Sequence, residues 1–180
     1  RPGDGYGSAV DLVEGRLTVG APLEGPAVNP MLEVGTAYFY AFNPSMGEWE
    51  QFGPTLRSDE DIASLGGEFG AAVAIGLSDL PRVVVGAPRS NVNVDSLENG
   101  RVYTFEATGT DWESLEETPM FGKGPYDRFG SAVDMANDGL RFIVGAPGRE
   151  ASGGYFQIYE WTGSAWVLDF EEEGSSGDAL

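Results

Sequence analysis

The feature that most restricts how this chain can fold is that it says one thing three times. Tyr6 opens YGSAVDLVEGRLTVGAP, Phe69 opens FGAAVAIGLSDLPRVVVGAP and Phe129 opens FGSAVDMANDGLRFIVGAP. The three aromatic residues stand 63 and 60 positions apart, and Gly20, Gly86 and Gly145 stand 66 and 59 apart. Two more landmarks follow in the same order. One is an aromatic run (GTAYFY from Gly35, GRVYTF from Gly100, GGYFQI from Gly153), read with its aromatic residues in register. The other is a tryptophan, at Trp49, Trp112 and Trp166. A period of about 60 residues means a supersecondary unit that buries its faces only against neighbouring copies of itself.

Each landmark reads as a short strand. Val83-Val84-Val85 and Phe142-Ile143-Val144 are β-branched or aromatic runs between turn residues, the pattern of strands buried on both faces. The stretch after each aromatic-glycine pair, such as Gly70-Ala71-Ala72-Val73, is made of small residues and suits the place where strands crowd most closely. The tryptophan strand is flanked by Glu48, Glu50, Asp111, Glu113, Glu116, Glu117, Asp169 and Glu171. Carboxylates in that density discourage pairing with another chain, so this strand belongs at the sheet margin. No segment sustains a helical apolar period, and Ser58 to Leu65 holds at most a turn or two. The expected fold is all-β: four-stranded antiparallel sheets, one per repeat, covering about 1–63, 64–123 and 124–180. Packed radially, such sheets are the blades of a β-propeller.

The ordered pairs Tyr6-Gly7…Gly20-Ala21-Pro22, Phe69-Gly70…Gly86-Ala87-Pro88 and Phe129-Gly130…Gly145-Ala146-Pro147 resemble the FG-GAP repeat of integrin α-subunit propellers and their microbial and algal relatives. The likeness covers essentially the whole chain. It implies one segment of a propeller of about seven blades, used for extracellular or cell-surface binding. Both ends fall near repeat boundaries, so the expectation is part of a longer propeller. The alternatives are an open three-blade array and a ring completed by another chain.

Ten Lys and Arg against 29 Asp and Glu leave a formal charge of −19, which repels nucleic acid and anionic membrane surfaces. No stretch reaches the roughly 20 apolar residues that span a bilayer as a helix. There is no Cys and no His, so thiol nucleophiles and the commonest general base are missing, and neither GxSxG nor GxGxxG occurs. The glycine-rich opening Gly3-Asp4-Gly5-Tyr6-Gly7 leads into a strand, whereas a phosphate cradle leads into a helix. A non-enzymatic role is expected: recognition or scaffolding, with protein or glycan bound through loops on one propeller face. The alternatives are a structural subunit that joins a larger assembly through its blade faces, and an accessory domain of a secreted hydrolase.

The connections after each GAP vary sharply, from Leu23–Val34 and Arg89–Asn99 to the short Gly148–Ser152, and varied loops on a rigid scaffold are where recognition sits. Met31, Leu32, Val92 and Val94 are the candidate contacts for a partner. Integrin-type repeats often hold calcium between FG and GAP, where oxygen ligands recur at alternate positions. Here Asp11–Gly15, Ile75–Asp79 and Asp134–Gly139 lack that alternation and read as hairpin turns, so the resemblance is to the short-loop type without metal. Only Asn91, Asn93, Asp95 and Asn99 have the spacing of a calcium loop, with Ser96 where glycine is expected. Read as a polar loop, this stretch gives no heat on titration with calcium; heat that Asp95→Ala abolishes identifies a calcium site instead.

Overall fold

A computed structural model describes residues 2–25, 34–58, 66–91, 97–115, 120–148 and 153–175. Among these there are only strands, turns and connections, with no helix. Sheet I is β1 (Ala9–Val13), β2 (Arg16–Ala21), β3 (Thr36–Asn43) and β4 (Glu48–Gln51). Sheet II is β5 (Ala72–Leu77), β6 (Pro81–Ala87), β7 (Arg101–Thr108) and β8 (Asp111–Ser114), with β9 (Met120–Phe121) added. Sheet III is β10 (Ala132–Met135), β11 (Arg141–Ala146), β12 (Tyr155–Trp161) and β13 (Trp166–Glu173). Each runs in simple antiparallel order, small-residue strand first and tryptophan strand last.

Local chemistry sets the hairpins. Glu14 and Gly15 both take positive φ (41° and 79°), the two-residue turn whose twist matches the strands it joins. In the third repeat Gly139 donates to the Ala136 carbonyl and the Leu140 amide donates to Asp138 Oδ1. Both are hairpin turns, as the sequence reading expects.

The sheets stack face to face in one direction. β1 packs on β5, and β5 on β10. Sheet II therefore has both faces covered. Val73, Ile75, Val83, Val85, Tyr103 and Phe105 form one core with Ala37 and Phe39 of sheet I. The alternate residues Ala74, Val84 and Val102 form another with Phe129, Met135, Phe142 and Val144 of sheet III. Trp112 reaches across the first joint to Phe39 and Phe52, at ring separations of 4.5 and 5.8 Å. Arg82, paired with Glu106 within sheet II, reaches across the second to donate to the Gly139 carbonyl and lies 4.7 Å from the Trp161 ring centre.

Three details differ from the sequence reading. Val83-Val84-Val85 is buried on both faces, but in Phe142-Ile143-Val144 the middle residue is exposed, because no other sheet among the described residues covers the outer face of sheet III. The third aromatic run is offset: Tyr38 pairs with Val19 and Tyr103 with Val85, whereas Tyr155 pairs with Ala146 and Gln157 takes the equivalent place. Gly154, not Gly153, is thus the counterpart of Gly35 and Gly100. Finally, the outer edge of β7 is shared by β8 and β9, while β13 spans the edge of β12 alone, with a bulge at Ile158/Tyr159.

The aromatic-glycine pair is the joint between sheets. Phe69 bridges to Gly35 of sheet I and Phe129 to Gly100 of sheet II, both in parallel sense, and both rings are 0% exposed. Tyr6 joins no other sheet among the described residues and is 57% exposed. Truncating a buried Phe commonly costs about 3–5 kcal/mol. Phe69→Ala and Phe129→Ala should lose stability on that scale in urea titration, and Tyr6→Ala less than about 1 kcal/mol. A comparable loss for Tyr6→Ala would contradict the one-directional stacking.

Candidate functional site

Aromatic-glycine turns and post-GAP connections meet at one end of the array, because backbone hydrogen bonds tie them in every repeat. The amides of Leu23, Arg89 and Gly148 donate to the carbonyls of Asp4, Gly67 and Asp127 at 3.1, 3.2 and 3.0 Å. The glycine amides of Gly7, Gly70 and Gly130 donate to the carbonyls of Gly20, Gly86 and Gly145. The residue before each aromatic, Gly5, Glu68 or Arg128, has φ of 70°, 58° or 54°, so two side chains are held in the left-handed region that normally favours glycine. That bend projects Glu68 and Arg128 from the end of the array rather than along a strand.

These projections form a charged mosaic across the second joint. Arg89 pairs with Glu68 at 3.0 Å and with Glu98 at 3.4 Å, and Arg128 pairs with the same Glu98 at 2.9 Å. A cleft of about 310 Å³ lies there, lined by Glu68, Pro88, Arg89, Arg128 and Ser131. The bond to Glu68, above all, raises the Arg89 pKa. In the first repeat, Tyr38 donates to Glu24 at 2.5 Å and Arg57 pairs with Glu24 at 3.0 Å. Burial, and then the Glu24 bond, pushes the Tyr38 hydroxyl pKa well up. In sheet III, Lys123 binds Glu171 and Glu173, and Gln157 donates to Glu171.

This rim offers paired charges, amides and hydroxyls for hydrogen bonding. Its serines serve the turns: Ser8 Oγ and Ser131 Oγ donate to the carbonyls of Gly5 and Arg128, both at 2.6 Å. Asp11 is committed too. Its carboxylate accepts from the Leu12 amide and, across the first joint, from the Ile75 amide, both at 2.8 Å.

Met31, Leu32, Val92 and Val94, together with Asn93 and Asp95, lie outside the described residues. Of the four residues with calcium-loop spacing, Asn91 and Asn99 are described. Asn91 Oδ1 accepts from the Glu98 amide at 2.8 Å, and the buried Asn99 gives its backbone carbonyl to the Phe129 amide at 2.9 Å. Asn91 thus ties the two ends of its own loop together, and Asn99 joins that loop to the next repeat. Among the described residues no three His, Cys, Asp or Glu side chains converge as a metal-binding group. No helix among them is long and apolar enough to cross a membrane.

The sequence reading passed over Glu68, Arg89, Glu98 and Arg128. A signal was present: Glu68 and Arg128 occupy the same position in successive repeats with opposite charge. No family profile matches the chain, and no curated protein matches it significantly.

The ion pairs give the array a pH profile. The Gln157 hydrogen bond, then Lys123, lowers the Glu171 pKa below its ordinary 4.5. The stabilisation it brings is present above that value and is lost as pH falls through the depressed folded value. The Lys123 pKa is raised from 10.5, chiefly by Glu171, so its contribution is present below 10.5 and lost above the folded value. Glu171→Gln should flatten both limbs of stability against pH in thermal melts; unchanged limbs would show that the pair carries no linkage. A double-mutant cycle on Arg128 and Glu98, both partly exposed, should return a coupling of about 1 kcal/mol or less.

Proposed function

We propose that the chain is a segment of a β-propeller of the FG-GAP kind. It serves as a non-catalytic recognition and scaffold module at the cell surface or outside the cell. It binds protein or glycan through the loops beside the aromatic-glycine turns. The observation that carries this reading is the contrast between the joints and the connections they hold. The aromatic-glycine turns repeat the same backbone bonds, at Leu23, Arg89 and Gly148, while the connections beyond them differ in length and charge. A fixed frame presenting varied loops is an arrangement suited to recognition. The paired Arg and Glu side chains at the second joint offer bidentate and hydroxyl-directed hydrogen bonds, suited to a polar peptide or a sugar. A strongly acidic surface favours partners that are neutral or basic and disfavours nucleic acid.

The radial arrangement is supported by the stacking order. The small-residue strands β1, β5 and β10 lie against one another, and the tryptophan strands β4, β8 and β13 are outermost. A structural role in a larger assembly is the second reading, favoured by the apolar outer faces of sheets I and III.

The test is binding to a glycan array and a peptide library, with wild type beside a variant whose Arg89–Asn99 connection is replaced by the sequence of Gly148–Ser152. The expected result is at least one ligand, lost in the loop exchange while the melting curve keeps its cooperativity. Absence of any ligand, or binding indifferent to the exchange, would falsify the loop-recognition reading.

A further inference from the structure

The second joint carries more backbone strain than its turns require, and the strain surrounds the charged cleft. Five non-glycine residues among those described have positive φ, and four of them meet there: Glu68, Glu98, Tyr126 and Arg128, at 58°, 47°, 66° and 54°. Gly5 holds the place of Glu68 and Arg128 in the first repeat, at 70°, so the turn itself is satisfied by glycine. Side chains kept in a left-handed backbone gather at ligand clamps, where the chain gives up stability to aim them. Backbone bonds fix that aim. The Tyr126 and Arg128 amides donate to the Leu97 and Glu98 carbonyls at 2.6 and 3.1 Å, and the Arg89 amide donates to the Gly67 carbonyl.

The four charges of the cleft cancel, but they do not lie at one depth. The Glu68 and Glu98 side chains are 26% and 25% exposed, those of Arg89 and Arg128 48% and 50%. Carboxylates lie beneath and guanidiniums face outwards. Coulomb energy falls with distance, so the mouth of the cleft is positive on a chain of net charge −19. Each guanidinium has five donors. Glu68 and Glu98 engage Nη1 and Nε of Arg89, and Glu98 engages Nε and Nη2 of Arg128. With Arg89 on its Oε1 and Arg128 on its Oε2, Glu98 holds the two guanidiniums side by side. The volume of about 310 Å³ is at the small end of ligand pockets, room for one side chain.

We propose that this cleft binds a carboxylate, supplied by a single acidic residue of an otherwise neutral or basic peptide. The carboxylate bridges Arg89 and Arg128 from the solvent side, opposite Glu98, in the fork geometry that suits guanidiniums to carboxylates. A chain of net charge −19 repels a polyanion, so the rest of the partner carries no acidic excess. The described lining, Glu68, Pro88, Arg89, Arg128 and Ser131, has no aromatic ring on which a sugar could stack, which favours a peptide over a sugar acid. The inference rests on the reading of the rim as a recognition surface and names the chemistry of its ligand. The site lies wholly between sheets II and III.

NMR tests it through the arginine Nε–Hε resonances. The probes are acetate replacing chloride at constant ionic strength, the capped tripeptides alanyl-aspartyl-alanine and alanyl-asparaginyl-alanine, and glucuronate. Acetate and the aspartyl peptide should shift Arg89 and Arg128 saturably, with millimolar affinity. Arg141, paired with Glu160 at the opposite end of β11, should not move. Arg128→Gln should weaken binding by about tenfold or more. Glu98→Gln removes the internal competitor and should tighten binding by up to about fivefold, the worth of a partly exposed pair. Amide dispersion in the same spectra checks that each variant folds, and the wild-type titrations stand without them. No shift when acetate replaces chloride overturns the proposal. So does equal binding of the asparaginyl peptide, tighter binding of glucuronate than of the aspartyl peptide, or weaker binding by Glu98→Gln. If acetate leaves both arginines unmoved while an array ligand binds and is lost on the loop exchange, the carboxylate site fails and loop recognition stands.

Discussion

The structure depends on how closely one sheet's backbone can approach the next. Where Gly70 meets Gly20, and where Gly130 meets Gly86, carbonyl oxygens lie in the volume that a methyl group would take. Only glycine allows that approach, and only a left-handed glycine in the incoming turn directs its carbonyl there. The aromatic residue beside it then fills the wedge between sheets. Phe69 lies 5.1 Å from the Tyr103 ring centre, edge to face, and Phe129 lies 6.2 Å from that of Tyr155. Buried aromatic surface and van der Waals closeness therefore arise from one dipeptide.

Because each sheet gains its cover from its neighbours, the three differ in character despite near-identical text. The first strand of sheet II, Ala72–Gly76, is buried on both faces. Its counterpart in sheet I exposes Val10 and Leu12, and that in sheet III exposes Ala132 and Asp134. The middle sheet resembles a protein interior, and the outer two resemble interfaces. This accounts for large exposed side chains such as Trp49 and Phe170 in a chain that otherwise sorts its apolar residues well.

Polar chemistry is arranged around the same joints. Asp11 lends its carboxylate to the Ile75 amide across the first joint, and Arg82 reaches the Gly139 carbonyl across the second. Glu98 draws Arg89 and Arg128 together where sheets II and III meet. The acidic excess is thus partly neutralised at the seams, where sheets must touch, and left facing solvent along the outer strand Glu48–Gln51, where repulsion keeps a bare edge from pairing.

The sequence by itself determined the all-β class, the three units, the strand order within each, and the marginal place of the tryptophan strand. Each of these follows from local alternation, turn chemistry and repetition along the chain. Tertiary structure alone decided which copies are buried. Ile143 reads like Val84, yet one faces solvent and the other a neighbouring sheet, and nothing in five residues of text encodes a missing neighbour. It also decided the register of Gln157, which a glycine doublet at Gly153-Gly154 disguised. The charged rim at Glu68, Arg89, Glu98 and Arg128 was hidden for a related reason. Its members are 60 residues apart at the extremes, and only the left-handed turns before Phe69 and Phe129 bring them to one end of the array.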